Sequence, residues 1–492
     1  MDITLAFREN LVQFFTSHDG GLMYCSFIFL ITFLVFYAIY IALQGTRKEG
    51  MQLYVVIFSL FYAYKANGWF MLLLPATTLI SWLLVKAMKR CEKKKTRKLI
   101  AIGSVIIVLS PLIFFKYTNF TIQTLNSIIA SNFSPIEIFL PIGLSFYTFQ
   151  AISYIVDVYK NKFTLHTTLL EYTFFLTFFP LLIAGPITRP ETLIPQLKEK
   201  FPVDKKLIYS GLFLIISGIL KKGLIADYIA QYNDWIFEDP GGFSGLEVFM
   251  GVLGYTLQIY CDFSGYSDFS IGIAALMGIR LLPNFNSPYQ SLNLTEFWHR
   301  WHIALSTWFR DYIYIPLGGN RRGKLLTYVN NFITMLFAGW WHGASWMFII
   351  WGSIHGVGLI AHKSCKGWLN KLGNGLAVRF WSWFLTFAFV TFAWIFFRAS
   401  SLENAGEIIS RMFTDFDLAY LPPFCYARPL WIFLVVSAFL LHFIIKENIF
   451  YWFQAKFAET PWIVKLLIFI IAIQLVINFR QENINPFIYA QF

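Results

Sequence analysis

Lys86-Ala-Met-Lys-Arg-Cys-Glu-Lys-Lys-Lys-Thr-Arg-Lys98 is the most basic stretch of the chain, and it separates two apolar segments, residues 69–87 and 98–116. Roughly 20 apolar residues are needed to cross a bilayer as a helix. Lys and Arg collect in the loops that stay in the cytoplasm. The three pieces therefore read as helix, cytoplasmic loop, helix. The pattern recurs outward in both directions. Further candidate spans are 22–43, 51–65, 138–158, 168–187, 207–227, 246–262, 327–341, 344–362, 379–398, 430–446 and 463–479. The expectation is an all-α polytopic membrane protein of about 11–13 transmembrane helices, a single membrane domain over residues 1–492.

The loops orient it. Counting back from the basic stretch puts Arg47 and Lys48 inside and the net acidic N-terminus outside. Counting forward puts residues 117–135, which hold no Lys or Arg, outside, and Lys160 and Lys162 inside. Residues 1–20 carry Asp2, Arg8, Glu9 and Asp19 with no cleavage site after the next apolar run, so 22–43 reads as the first membrane helix rather than a signal peptide.

Bulk composition agrees. Hydrophobic residues make up 57% and charged residues 13%, against about 25% charged in an ordinary soluble domain. The net charge is +12. Because the basic residues lie in short segments between apolar runs, this excess reads as contact with lipid headgroups and not with nucleic acid. The five Cys residues form no CxxC pair and no regular spacing, so neither a disulfide framework nor a zinc site is expected.

Residues 296–325 depart from the generic membrane pattern. Trp298, Trp301, Leu305, Trp308, Phe309 and Tyr312 recur at helical spacing with charges between them. They read as an amphipathic helix in the interface or in a protein-lined cavity. His299 and His302 lie within it, three residues apart, where they could share a face.

His342 stands in Gly339-Trp-Trp-His-Gly-Ala-Ser-Trp346, inside an apolar stretch. An imidazole at membrane depth is costly without partners and marks a functional position. The same pattern equally fits a structural His packed among Trp rings. A metal held by His299, His302 and His342 is not expected, because no carboxylate or Cys stands at a ligand spacing. His355 and His362 read as packing or interface residues. Asp262 and Asp268, in Tyr260-Cys-Asp-Phe-Ser-Gly-Tyr-Ser-Asp268, read as structural groups at a helix end, there for capping and hydrogen bonding. Pro316-Leu-Gly-Gly-Asn-Arg-Arg-Gly-Lys324 is a glycine-rich basic loop. Its Arg321, Arg322 and Lys324 could contact phosphate groups, or could simply belong to a cytoplasmic loop.

These motifs occur in order with Leu140-Pro-Ile-Gly-Leu-Ser-Phe-Tyr-Thr-Phe-Gln150, Ala184-Gly-Pro-Ile187, Phe297-Trp-His-Arg-Trp-His302 and Trp308-Phe-Arg-Asp-Tyr-Ile-Tyr-Ile-Pro-Leu-Gly-Gly-Asn320. The set resembles the membrane-bound O-acyltransferase (MBOAT) family, within it the bacterial branch that O-acetylates alginate and peptidoglycan. The resemblance implies a ring of helices, with short re-entrant or interfacial ones, around a central tunnel, and a motif-bearing core over about residues 140–362. It implies that His342 is the catalytic base, that His302 is the second polar position, and that acetyl-CoA in the cytosol is the donor. His299 stands where the family has Arg. Residues 480–492, ending Asn485-Pro-Phe-Ile-Tyr-Ala-Gln-Phe492, resemble the branch's terminal Phe-Ile-Tyr motif, with Ala490 in place of an aromatic. By that resemblance the tail lies outside the cell membrane (the inner membrane), and Tyr489 relays the acyl group to an SGNH-type extracytoplasmic acetyltransferase acting on a polysaccharide. The alternatives are D-alanyl transfer to teichoic acid and, in another class, a transporter. Neither paired intramembrane carboxylates nor inverted repeats favour the latter.

Overall fold

Within a bilayer no water is present to satisfy backbone N–H and C=O groups, so apolar segments close their hydrogen bonds internally as helices. The computed structural model describes residues 26–183, 185–199 and 204–479, and among these there is no β-strand. Among the described residues five helical stretches are long and apolar enough to cross a membrane: Lys48–Arg90, Lys94–Ile129, Lys205–Glu238, Leu376–Arg398 and Trp462–Phe479. A sixth counts if Leu418–Ala427 and Pro429–Ile444, bent by 103°, are one broken span. The protein is an all-α polytopic membrane protein. Its chain gathers into two units, Met1–Pro202 and Val203–Phe492.

The first unit holds α1 (Phe27–Ala42), α2 (Lys48–Asn67), α3 (Leu73–Arg90), α4 (Lys94–Ile129), α5 (Leu144–Tyr159), α6 (Leu169–Thr177), α7 (Phe179–Leu182) and α8 (Pro190–Lys198). The loop expected over residues 86–98 shrinks to Cys91-Glu92-Lys93 between α3 and α4. Its charges ride on the helix ends, where long stems lie along apolar surface and heads reach out. Lys86 sits over the Trp82 ring at 4.7 Å. Arg97 donates to the Val158 carbonyl at 3.0 Å and to Asn161 Oδ1 at 2.7 Å, which caps the C-terminus of α5 with a cation. Thr168 and Glu171 close a capping box at the start of α6, and Lys198 pairs with Glu171 at 3.2 Å.

The second unit holds α9 (Lys205–Ile219), α10 (Asp227–Glu238), α11 (Gly245–Leu276), α12 (Leu294–Arg300), α13 (Ile303–Phe309), α14 (Lys324–His342), α15 (Trp346–Leu369), α16 (Leu376–Arg398), α17 (Leu402–Thr414), α18 (Leu421–Ala427), α19 (Pro429–Ile444), α20 (Glu447–Glu459) and α21 (Trp462–Phe479). A wide π-type turn, Leu220–Ala226, joins α9 to α10. Its placement corrects the reading of Asp262 and Asp268. They do not cap a helix end, because α11 continues to Leu276. Both lie in its interior and pair with lysines of the wide turn: Lys221 with Asp268 at 2.7 Å, and Lys222 with Asp262 and, at 2.7 Å, with Asp227. The expected span 246–262 stopped short because charge interrupts the apolar run. Here the charge is cancelled across a helix pair and the helix carries on.

The expected amphipathic helix over residues 296–325 is also broken. It divides into α12, α13, a wide turn at Arg310–Tyr314 and a loop. The break is at His302, whose φ is +40°. Left-handed backbone costs an L-residue about 1–2 kcal/mol and ends a helix. Trp301, Leu305, Trp308 and Phe309 are buried in protein on both sides of the break. Their spacing reported burial, not continuity.

Candidate active site

His342 is the last residue of α14 and is buried. Three rings stand steeply across its imidazole: Trp351 of α15 at 5.0 Å and 90°, Phe397 of α16 at 5.2 Å and 76°, and its neighbour Trp341 at 4.9 Å and 66°. Edge-to-face contacts of this kind fix ring orientation. The end of α14 is thus pinned between two long helices, and the imidazole sits where water is excluded and charge effects are unscreened.

His302 reaches the same place from the α12–α13 break. It is fully buried. Phe263 of α11 stands across it at 4.5 Å and 81°, its Nδ1 lies 3.1 Å from Asn284 Oδ1, and the Trp341 indole is 6.4 Å away. Trp341 therefore has His302 on one contact and His342 on another. The two imidazoles are separated by no more than those two distances laid end to end. The structure brings together the two histidines that the sequence singled out.

It does not bring His299 with them. His299 is exposed on α12 while His302 is buried, because the left-handed residue swings the chain between them. His355 is fully buried on α15 against Trp351 at 4.9 Å and Trp298 at 5.1 Å. His362 lies against Thr295 Oγ1 at 3.2 Å. The packing and interface roles expected for these two match their surroundings. His442 of α19, which the sequence reading passed over, accepts from the Tyr289 amide at 3.2 Å, and its carbonyl accepts from Gln290 at 2.6 Å. It anchors the turn that leads into α12. No periodicity or motif marked it.

Arg321, Arg322 and Lys324 are exposed. Their loop turns through Gly318, Gly319 and Gly323 at φ +115°, +57° and +94°, and Asn330 of α14 donates to the Gly319 carbonyl at 2.9 Å. The loop precedes α14 and His342 ends it, 19 residues later. At 1.5 Å per residue the basic loop and His342 lie about 27 Å apart along the helix. These cations cannot touch the atoms that His342 touches. Tyr489 lies outside the described residues. Among the described residues no group of three or more His, Cys, Asp or Glu is placed to hold a metal ion.

The protein is a polytopic helical membrane protein in which two buried imidazoles, His302 and His342, each contact the Trp341 indole. The sequence pattern of the membrane-bound O-acyltransferase family matches residues 162–403. The chain is 36% identical to the peptidoglycan O-acetyltransferase of Helicobacter pylori over 414 residues, 78% of each chain. It is 39% identical to the probable alginate O-acetylase AlgI of Pseudomonas aeruginosa over 402 residues, 80% of this chain and 75% of that one. The teichoic acid D-alanyltransferase of Bacillus subtilis is 28% identical over 404 residues, 77% of this chain and 99% of that one. The chain belongs to the membrane-bound O-acyltransferase family, and it is an O-acyltransferase.

Proposed function

We propose that this enzyme moves an acetyl group from cytosolic acetyl-CoA across the cell membrane for O-acetylation of a cell-envelope polysaccharide. A thioester is already an activated donor, so the remaining barrier lies in deprotonating and placing the hydroxyl that attacks it. His342 takes that proton as general base, an effect typically of about 10²–10⁴-fold. His302 orients the hydroxyl, and the packed aromatic wall holds both groups in place. Arg321, Arg322 and Lys324 meet the phosphate end of the donor at the membrane surface. Tyr489, in an outward-facing tail, carries the acyl group to an SGNH-type extracytoplasmic acetyltransferase. The N-terminus also faces outward.

The observation that carries this reading is the meeting of His302 and His342 at Trp341. Acetyl transfer is favoured over D-alanyl transfer because the relatives at 36% and 39% identity bear O-acetylating names, while the D-alanyltransferase stands at 28%. The test uses the full chain in lipid nanodiscs with acetyl-CoA, and with a D-alanyl carrier protein in parallel. His342→Ala should abolish release of free CoA while the protein still folds and inserts. Transfer retained in purified His342→Ala would remove His342 as the base. Turnover of the aminoacyl carrier alone would replace acetyl with alanyl.

A further inference from the structure

Asn284 lies in the coil between α11 and α12, in Pro283-Asn-Phe285, and is buried. Four contacts converge on it. Its backbone carbonyl accepts from the Ile303 amide at 2.9 Å. Its Oδ1 accepts from the Ala304 amide at 3.1 Å and faces His302 Nδ1, also at 3.1 Å. Its Nδ2 donates to Ser267 Oγ on α11 at 3.1 Å.

The chemistry of these partners fixes what each atom must be. A backbone N–H can only donate, so the side-chain atom that meets Ala304 is the amide oxygen, and the amide nitrogen is left to donate to Ser267. An amide oxygen carries no hydrogen. The imidazole nitrogen facing it must therefore be the one that bears the proton. A neutral imidazole has one N–H and one lone pair, so with Nδ1 protonated the lone pair is on Nε2. The two amides that follow His302, those of Ile303 and Ala304, are held by the same residue. They lock the left-handed backbone that turns the ring inward.

We propose that Asn284 is a positioning residue for acyl transfer: it holds His302 in the Nδ1–H tautomer, so that Nε2 is the atom that accepts the incoming hydroxyl. The proposal rests on the role given to His302 above. It adds which nitrogen acts and which side chain decides it. A neutral amide partner also distinguishes His302 from a base backed by a carboxylate. It leaves the imidazole an acceptor of a hydrogen bond and not the group that keeps the proton, consistent with proton removal by His342.

The experiment is ¹⁵N-histidine NMR of the full chain in nanodiscs, with the His302 signals identified by their loss in His302→Gln. Protonated Nδ1 and unprotonated Nε2 are expected. The reverse assignment overturns the proposal. Two variants add a functional arm. Asn284→Leu removes the Oδ1 that accepts from Ala304 and faces His302 and should lower acetyl transfer by about 10–100-fold, as loss of an orienting partner typically does. Asn284→Asp keeps an oxygen toward Ala304 and His302 and should restore both the tautomer and most of the activity. Equal loss in Leu and Asp variants with an unchanged His302 spectrum overturns the positioning role. If Asn284→Leu fails to assemble, the spectrum of wild type and Asn284→Asp decides alone. Full activity in His302→Gln would instead remove the parent role of His302, a result separate from the tautomer itself.

Discussion

Gly339 of α14 and Gly352 of α15 stand backbone to backbone. A Cβ on Gly352 would lie 2.5 Å from the Met335 carbonyl oxygen and 3.1 Å from the Gly339 Cα, and one on Gly339 would collide with the Phe348 carbonyl oxygen. Small residues let membrane helices approach this closely. Each glycine is near a site residue: Gly352 follows Trp351, and Gly339 is three residues before His342. The close crossing of α14 and α15 is what sets the 5.0 Å contact between His342 and Trp351.

Gly352→Ala should therefore cost about 1–3 kcal/mol, the usual range for overpacking, and should depress transfer by moving His342. Gly406→Ala, on the exposed face of α17 with open space around the added methyl, should leave activity alone and raise stability slightly. Unfolding midpoints in detergent, read beside CoA release, check both. Equal behaviour of the two variants would count against the crossing as the source of the geometry.

The Lys222–Asp262 pair makes a different prediction. Both side chains are about 2% exposed. Asp262→Asn removes one of the two carboxylates that Lys222 meets and should destabilise the protein by up to about 3–5 kcal/mol, the cost of breaking a buried pair. Lys222→Met combined with Asp262→Leu should recover most of that loss. The unfolding midpoints of the single and double variants decide it; a single variant as stable as wild type would show that the pair contributes little.

The distance along α14 constrains the basic loop. Because Arg321 and Arg322 lie far from His342, Arg321→Gln/Arg322→Gln should raise KM for acetyl-CoA about five- to tenfold, the size of two screened charge contacts of about 0.5–0.7 kcal/mol each. The value of kcat should hold. Steady-state kinetics at low and moderate salt measure it. An unchanged KM would leave the loop as a cytoplasmic charge anchor only.

The relay makes the fourth prediction. Tyr489→Phe removes the hydroxyl and nothing else, so transfer to an extracytoplasmic partner should stop while the protein inserts normally. Mass spectrometry of the C-terminal peptide after incubation with acetyl-CoA should find a modified wild-type peptide and an unmodified variant. Full transfer by the variant would take Tyr489 out of the pathway.

Much of this was legible in the chain because lipid imposes one rule on composition. Apolar runs become helices, and the ordered motifs around His302 and His342 point to one site. What stayed hidden has a common cause: local pattern does not report pairing across the fold. Trp298, Trp301, Leu305 and Trp308 keep helical spacing across a break, since burial on one side is satisfied by two short helices as well as by one. Asp262 read as a cap because its partner, Lys222, is distant in sequence. Asn284 sits in a coil with no periodicity, and only its contacts reveal that it holds the backbone and ring at His302.

The lysines of the wide turn bear finally on how the protein is made. Asp227 can neutralise one of them as soon as it is synthesised, but Asp262 and Asp268 follow Lys222 and Lys221 by 40 and 47 residues. Until then the Lys205–Glu238 stretch carries uncompensated charge at its middle, which hydrocarbon tolerates poorly. Pairing with the α11 carboxylates is therefore expected to ease entry of this stretch into lipid, favouring insertion of the two helices together. The separation of opposite charges along the chain thus couples the two helices before either is fully packed.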